Sequence, residues 1–279
     1  MSTHLRSAAI FLAGVFSLSV ILFGCTTTTP VNTRMQPVGE QTAVPDTAST
    51  APFGYHQYIP PLASDGGSAR YPLLLFLHGS GERGNGGSEL GAVARHGPPK
   101  LIREGEWDAS QPFIVLSPQL PASHGRWGVD SLDAFIDYAV ETYRVDPDRI
   151  YLTGLSLGGH GTWMYAAAHP DRIAAAVPVA GDGRTIPENG RSYCDLAEVP
   201  IWAFHGDEDP VVAPQGSTKP VRELKQCQPP AAPKLTLFSG VGHDSWSLVY
   251  DGSGRAAIQD SAYDLYDRNI YGWMLQFTR

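Results

Sequence analysis

Between residues 71 and 240 the chain repeats one alternation: a short apolar run closed by glycine or proline, then a longer, differently patterned stretch. The runs are "YPLLLFLHG", "PFIVLSPQ", "RIYLTG", "IAAAVPVAG", "VPIWAFHG" and "KLTLFSG". Their β-branched, Leu, Ala and aromatic residues are continuous rather than alternating, as in strands buried on both faces. Several of the intervals have helical period. "VDSLDAFIDYAVETYRV" puts Leu132, Phe135, Ile136, Ala139 and Val140 on one side, with Asp130 or Ser131 placed to cap it. "LGGHGTWMYAAAHP" stops at Pro170, and "SAYDLYDRNIYGWMLQF" aligns Tyr263, Tyr266, Ile270 and Trp273 or Met274 on a stripe. Strands alternating with helices predict an α/β domain, a mainly parallel sheet flanked by helices on both faces. "GYHQYIPP" reads as an extra antiparallel edge strand.

The ends follow a different logic. His4 and Arg6 precede an apolar run from Ala8 to Phe23 that is short for a membrane span and fits a secretory leader. It closes in Leu22-Phe23-Gly24-Cys25, which resembles a bacterial lipoprotein cleavage box, so residues 1–24 read as a signal peptide and Cys25 as the lipid-bearing residue. From residue 25 to 52 the composition turns to Thr, Pro, Val, Gln and Ala without period, a tether that cannot bury a core. The folded domain is then expected over 53–279. The expected location is outside the cytoplasm, lipid-anchored to a bacterial membrane. There Cys194 and Cys227 can form a disulfide, which would contribute about 3–4 kcal/mol. A net charge of −8 with no basic stripe disfavours nucleic acid as a partner.

The chemistry centres on Gly154-Leu155-Ser156-Leu157-Gly158. A G-x-S-x-G pattern alone is weak, but here a short strand precedes it and a helix follows at once. The tight turn would lift the Ser156 hydroxyl above the sheet and point the Leu157 amide where an oxyanion forms. A serine hydroxyl needs a base and an orienting acid. Of nine histidines, His243 in "LFSGVGHDSW" follows the last strand in a Gly-rich loop and comes after the serine, the order this architecture requires. The acid lies in "FHGDEDPVV", where the residues alone leave Asp207 and Asp209 nearly equal; Asp207 could instead cap a turn. "FLHGSGERG" sits where a second oxyanion amide belongs, with Ser80 the expected donor, Gly81 the other candidate and His78 bracing the loop. No His/Cys cluster has metal-ligand spacing, and no metal or cofactor is expected.

Taken together, "FLHGSGERG", "HGPPKLI", "RVDPDRIYLTGLSLGGHGTW", "VPIWAFHGDEDPVV" and "GVGHDSW" resemble the α/β-hydrolase esterases, in particular carboxylesterases and peptidases related to dienelactone hydrolases and to feruloyl and acetyl-xylan esterases. The resemblance covers Tyr55 to Phe277. It implies Ser156 as nucleophile, Asp209 as acid and His243 as base, and so selects Asp209. Leu157 stands where relatives often carry Met, which matters little because its amide is what acts. "DGRTIPENGRSYCDLAE" is too short for a large lid, so the site is expected to be open and to favour short acyl groups on bulky or carbohydrate-linked alcohols. The expected partner is a small-molecule or polysaccharide-linked ester, and Trp127 and Trp246 are candidates to stack on it. The competing readings are a serine peptidase and a non-catalytic tethered binding domain.

Overall fold

The computed structural model describes Met1, residues 39–65 and residues 67–279. The leader, Cys25 and the first part of the tether lie outside the described residues. Among the described residues no helix is long and apolar enough to cross a membrane.

Eight strands form one sheet: β1 (Gln41–Val44), β2 (Tyr55–Tyr58), β3 (Tyr71–Leu77), β4 (Ile114–Pro118), β5 (Val145–Leu155), β6 (Ala175–Val179), β7 (Trp202–Gly206) and β8 (Lys234–Phe238). Their spatial order is β1-β2-β4-β3-β5-β6-β7-β8. β1 pairs antiparallel with β2 and β2 with β4, while the pairs from β4 to β8 are parallel. The helices are α1 (Gly97–Glu104), α2 (Val129–Thr142), α3 (Leu157–Ala168), α4 (Gln215–Gln226), α5 (Trp246–Tyr250) and α6 (Ile270–Met274), with short 3-10 turns between them.

Alternation along β3 shows why the strands read as continuous apolar runs. Leu73, Leu75 and Leu77 face one core layer with Leu132 and Phe135 of α2, Trp163 of α3 and Leu224 of α4. Leu74 and Phe76 face the other, with Leu101 of α1, Tyr250 of α5 and Ile270 of α6. Each face of the sheet is therefore covered by helices, and both sets of side chains are removed from water.

Two stretches differ from the sequence expectation. Residues 39–52, assigned to the tether, belong to the fold: Gln41–Val44 pairs with Tyr55–Tyr58, the Asp46 amide donates to Gly86 O, and Ala51 and Phe53 are buried. The extra edge strand at Tyr55–Tyr58 is thus interior to β1. Four residues have too little pattern to signal a strand, and tertiary pairing decides. At the other end, helix forms over Ile270–Met274 rather than from Ser261. Asp260 and Asp264 instead give their amides to Leu237 and Leu235 of β8, and the Asp264 carboxylate accepts from the Leu235 amide. The open edge of β8 takes this segment as non-helical chain with a turn at 261–263, satisfying backbone groups that a helix would leave bare. A smaller difference is that α2 starts at Val129 behind Gly128 with no side-chain cap.

Cys194 and Cys227 are joined by a disulfide that ties the short 181–198 interval to the end of α4. The bridge spans 33 residues, for which chain entropy gives about 4 kcal/mol. Replacing both cysteines by serine is expected to lower unfolding free energy by about 3–4 kcal/mol in urea. A loss under about 1 kcal/mol would show that packing alone holds the interval.

Candidate active site

The parallel strands β5, β7 and β8 end on one side of the sheet, and three side chains follow those ends. Ser156 comes directly after β5, Asp209 three residues after β7, and His243 five residues after β8. Open α/β sheets form their sites at these carboxyl ends.

Ser156 has φ 51° and ψ −113°, a conformation that costs a non-glycine residue roughly 1–3 kcal/mol. Its surroundings hold it there. The Ser156 amide donates to Val179 O at 2.9 Å, and the His160 amide donates to Ser156 O at 2.9 Å as α3 begins. Close backbone approach explains two of the adjacent glycines. A Cβ on Gly154 would lie 2.5 Å from Gly158 O, and one on Gly158 would lie 1.9 Å from Leu77 O.

The Ser156 Oγ lies 2.9 Å from His243 Nε2, and His243 Nδ1 lies 2.7 Å from Asp209 Oδ2. The Asp209 Oδ1 accepts from the Val211 and Val212 amides at 2.8 and 3.0 Å. Burial works to raise the Asp209 pKa, but the hydrogen bond from His243 and the two amides outweigh it and hold the carboxyl below its ordinary value. Its neighbours are occupied elsewhere: Asp207 is exposed and accepts from the Gly240 amide, and Asp244 accepts from the Ser247 amide. A hydroxyl, an imidazole and an ionised carboxylate in this series can pass a proton from oxygen to nitrogen and stabilise the resulting imidazolium.

A contact the sequence did not reveal lies behind the carboxylate. His205, fully buried, places Nε2 at 3.1 Å from Asp209 Oδ2 and 2.9 Å from Val212 O, with Nδ1 2.8 Å from Ser217 Oγ. Nε2 faces two acceptors, so it carries the hydrogen, and Nδ1 accepts from the Ser217 hydroxyl. Burial lowers the His205 pKa and favours this neutral form. Asp209 therefore accepts three hydrogen bonds, from His243 and the Val211 and Val212 amides, with the His205 ring as a further close neighbour of Oδ2. The signal was present as the His of "FHGDEDPVV", but nothing in sequence tells a turn-shaping histidine from one that faces the carboxylate.

The loop after β3 passes beside the serine. A Cβ on Gly79 would lie 3.6 Å from Ser156 Cβ, so the Gly79–Ser80 peptide runs alongside it. Ser80 opens a single 3-10 turn, Ser80–Glu82, and Leu157 is the first residue of α3. Gly81, the other candidate donor, is the middle residue of that turn, and its carbonyl accepts from Arg95. His78 braces the loop: Nδ1 donates to Gly79 O at 2.6 Å and Nε2 accepts from the Leu120 amide at 2.9 Å. Burial pushes the His78 pKa down to about 4, consistent with a neutral ring.

The two tryptophans part company. Trp127 is 2% exposed, donates Nε1–H to His78 O and packs edge-on to the His78 ring. It anchors the loop from behind and has no free face for a ligand, which corrects the stacking role expected for it. Trp246 is half-buried, with its ring 5.0 Å from His243 and 5.7 Å from His96. Glu82 and His96, which line the same side, were not singled out in the sequence. Among the described residues no group of three or more His, Cys, Asp or Glu side chains is placed to hold a metal ion.

Residues 105–255 match the model of the dienelactone hydrolase family. The protein named as esterase NocK from Nocardia uniformis subsp. tsuyamanensis is 34% identical over 148 residues, 50% of this chain and 40% of that protein. The bifunctional acetylxylan esterase/xylanase XynS20E of Neocallimastix patriciarum is 26% identical over 168 residues, 56% of this chain and 22% of its own length. The chain thus spans less than half the length of these relatives. Among solved structures, a thermostable esterase superposes with a TM-score of 0.60 at 24% identity, over 81% of this chain and 59% of that one. The shared architecture is the α/β-hydrolase fold.

Proposed function

The chain belongs to the dienelactone hydrolase family, whose model matches more than half of it, and from that premise we propose that it is a serine carboxylic-ester hydrolase. One observation carries the reading: the unbroken hydrogen-bonded series Ser156–His243–Asp209 on a strained elbow beside the Gly79–Ser80 peptide. Ser156 Oγ attacks the ester carbonyl as His243 Nε2 takes its proton. The amides of Leu157 and Ser80 hold the oxyanion of the tetrahedral intermediate. His243 then gives the proton to the departing alcohol, leaving an acyl-enzyme. A water activated by the same nitrogen releases the acid and restores Ser156.

The substrates of this proposal carry short acyl groups on bulky or carbohydrate-linked alcohols. Support comes from the short 181–198 interval, which bears only single 3-10 turns and no helical lid, and from relatives whose names specify acetylxylan. We also propose that the protein is exported and held to a bacterial membrane through Cys25, which the leader and the disulfide support.

The test is hydrolysis of 4-nitrophenyl acetate, butyrate and octanoate by the full chain, with a fluorophosphonate probe and mass spectrometry to locate the adduct. The expected result is turnover that falls with acyl length and a single adduct on Ser156. A folded protein that turns over none of the three, or one labelled elsewhere, would overturn the proposal.

A further inference from the structure

Glu82 is 6% exposed, and its carboxylate, whose oxygens reach solvent, accepts no hydrogen bond from any described residue. His96 Nε2 lies 3.8 Å from Oε1, beyond hydrogen-bond range. The rest of the side chain is packed away, while the carboxylate oxygens keep contact with solvent, so they are free to accept hydrogen bonds from a molecule that arrives at the loop.

Its position is informative. A Cβ placed on Gly79 would meet Glu82 Oε2 at 3.1 Å and Ser156 Cβ at 3.6 Å, so the carboxylate and the candidate nucleophile flank the same point of the loop. From Glu82 the contacts continue through His96 to Trp246, from Trp246 to His243, and from His243 back to Ser156. These residues line one side of the site, and neither the triad nor the oxyanion amides use Glu82.

The local charges select the kind of donor. Arg83 bonds Ser80 O and His124 O, and Arg95 bonds Gly81 O, so two guanidinium groups are fastened to the turn that carries Glu82. They oppose the approach of a cation, while the carboxylate itself opposes an anion. Neutral hydroxyl donors remain, and a ring bearing them would meet the apolar surface of Trp246.

We propose that Glu82 is the hydroxyl-binding group of the alcohol subsite: it accepts hydrogen bonds from free hydroxyls of a polyhydroxylated ring whose neighbouring position carries the ester, with Trp246 against the ring. The assignment rests on the ester-hydrolase reading and names the alcohol that reading leaves open. It makes Glu82 a specificity residue, acting on the substrate and not on the reacting atoms.

The test compares two acetates of similar ring size, a methyl mono-O-acetyl-xylopyranoside with free hydroxyls and cyclohexyl acetate with none, using the full chain. The wild type is expected to favour the xyloside in kcat/KM by about 10-fold or more, and Glu82→Ala to reduce that ratio by about 10-fold or more, as loss of a hydrogen bond to a charged group implies. Glu82→Gln, which keeps one acceptor oxygen, is expected to fall between them. Free methyl xyloside should inhibit wild-type hydrolysis of 4-nitrophenyl acetate competitively, an arm that requires no variant to fold. A ratio unchanged by Glu82→Ala, or no inhibition by the free sugar, would overturn the assignment while leaving ester hydrolysis intact. A preference for acetylcholine over cyclohexyl acetate that disappears in Glu82→Ala would also overturn it, in favour of a cation site. Absence of turnover on every ester would instead overturn the underlying enzyme reading.

Discussion

Replacing Asp209 by Asn is expected to lower kcat by about 10^4 with little change in KM. The reason lies in the three donors that converge on this carboxylate. Val211 and Val212 direct amide hydrogens at Oδ1, His243 directs its Nδ1 hydrogen at Oδ2, and His205 Nε2–H, which donates to Val212 O, lies 3.1 Å from Oδ2. An asparagine has one acceptor oxygen and one NH2, so whichever way it turns, its NH2 faces donors. The peptide amides cannot reverse, and His205 is fixed as the Nε2–H form by Ser217 and Val212. His243 can adjust, by moving its hydrogen from Nδ1 to Nε2. That tautomer accepts from the Asn NH2 but presents N–H to Ser156, and a protonated Nε2 cannot take the hydroxyl proton. The cost is therefore in the chemical step. Because the Asn NH2 leaves at least one of the N–H groups now bonded to Asp209 without an acceptor, unfolding free energy should also fall, by about 1–3 kcal/mol. Steady-state kinetics on 4-nitrophenyl acetate and urea unfolding measure the two effects. An Asn variant keeping a tenth of wild-type kcat would mean that Asp209 does not set the tautomer of His243.

Legibility in the sequence follows the range of the forces involved. The elbow was legible because its constraints are local: the strained turn requires small residues at fixed offsets, and Gly154 and Gly158 stand at both. The sheet was legible because burial on both faces removes polar residues from whole strands, as in Leu73 to Leu77. The choice between Asp207 and Asp209 was not, since it depends on where Gly240 and His243 come to lie after β8, and the family resemblance supplied it. Trp127 and Trp246 looked alike in sequence; packing behind His78 buries one, and proximity to His243 keeps the other at the site. The C-terminal stripe was half right. Tyr266, Ile270, Trp273 and Met274 are buried, as the pattern demands, but Tyr263 is exposed, because the edge of β8 claims the backbone before Ile270. Glu82 was hidden for a related reason. A glutamate in a glycine-rich turn reads as solvated, and its lack of a donor is a property of the assembled loop.

Gly158→Ala is expected to be the most damaging single-methyl change in the site, lowering unfolding free energy by about 3 kcal/mol or more. The added Cβ would lie 1.9 Å from Leu77 O, 2.5 Å from Leu77 C and 2.7 Å from His78 O. These are backbone atoms at the end of β3, a strand paired on both sides by β4 and β5. β3 cannot withdraw without breaking two ladders, so the first turn of α3 must move instead. That turn carries the Leu157 amide and is joined directly to Ser156, whose left-handed conformation is supported by the Val179 and His160 bonds. A displacement of about 1 Å there misplaces the hydroxyl relative to His243 and should cost about 100-fold in kcat/KM. Gly91→Ala supplies the contrast, because a Cβ at that position has no heavy atom within 4 Å and should change stability by no more than about 0.5 kcal/mol. Parallel urea titrations and ester kinetics on the two variants separate the explanations. If Gly158→Ala unfolds within about 1 kcal/mol of wild type while its kcat/KM still falls 100-fold, α3 has shifted without loss of the core, and the elbow rather than the sheet is the compliant element. If both stability and turnover survive, close packing of α3 against β3 is not what holds Ser156 in place.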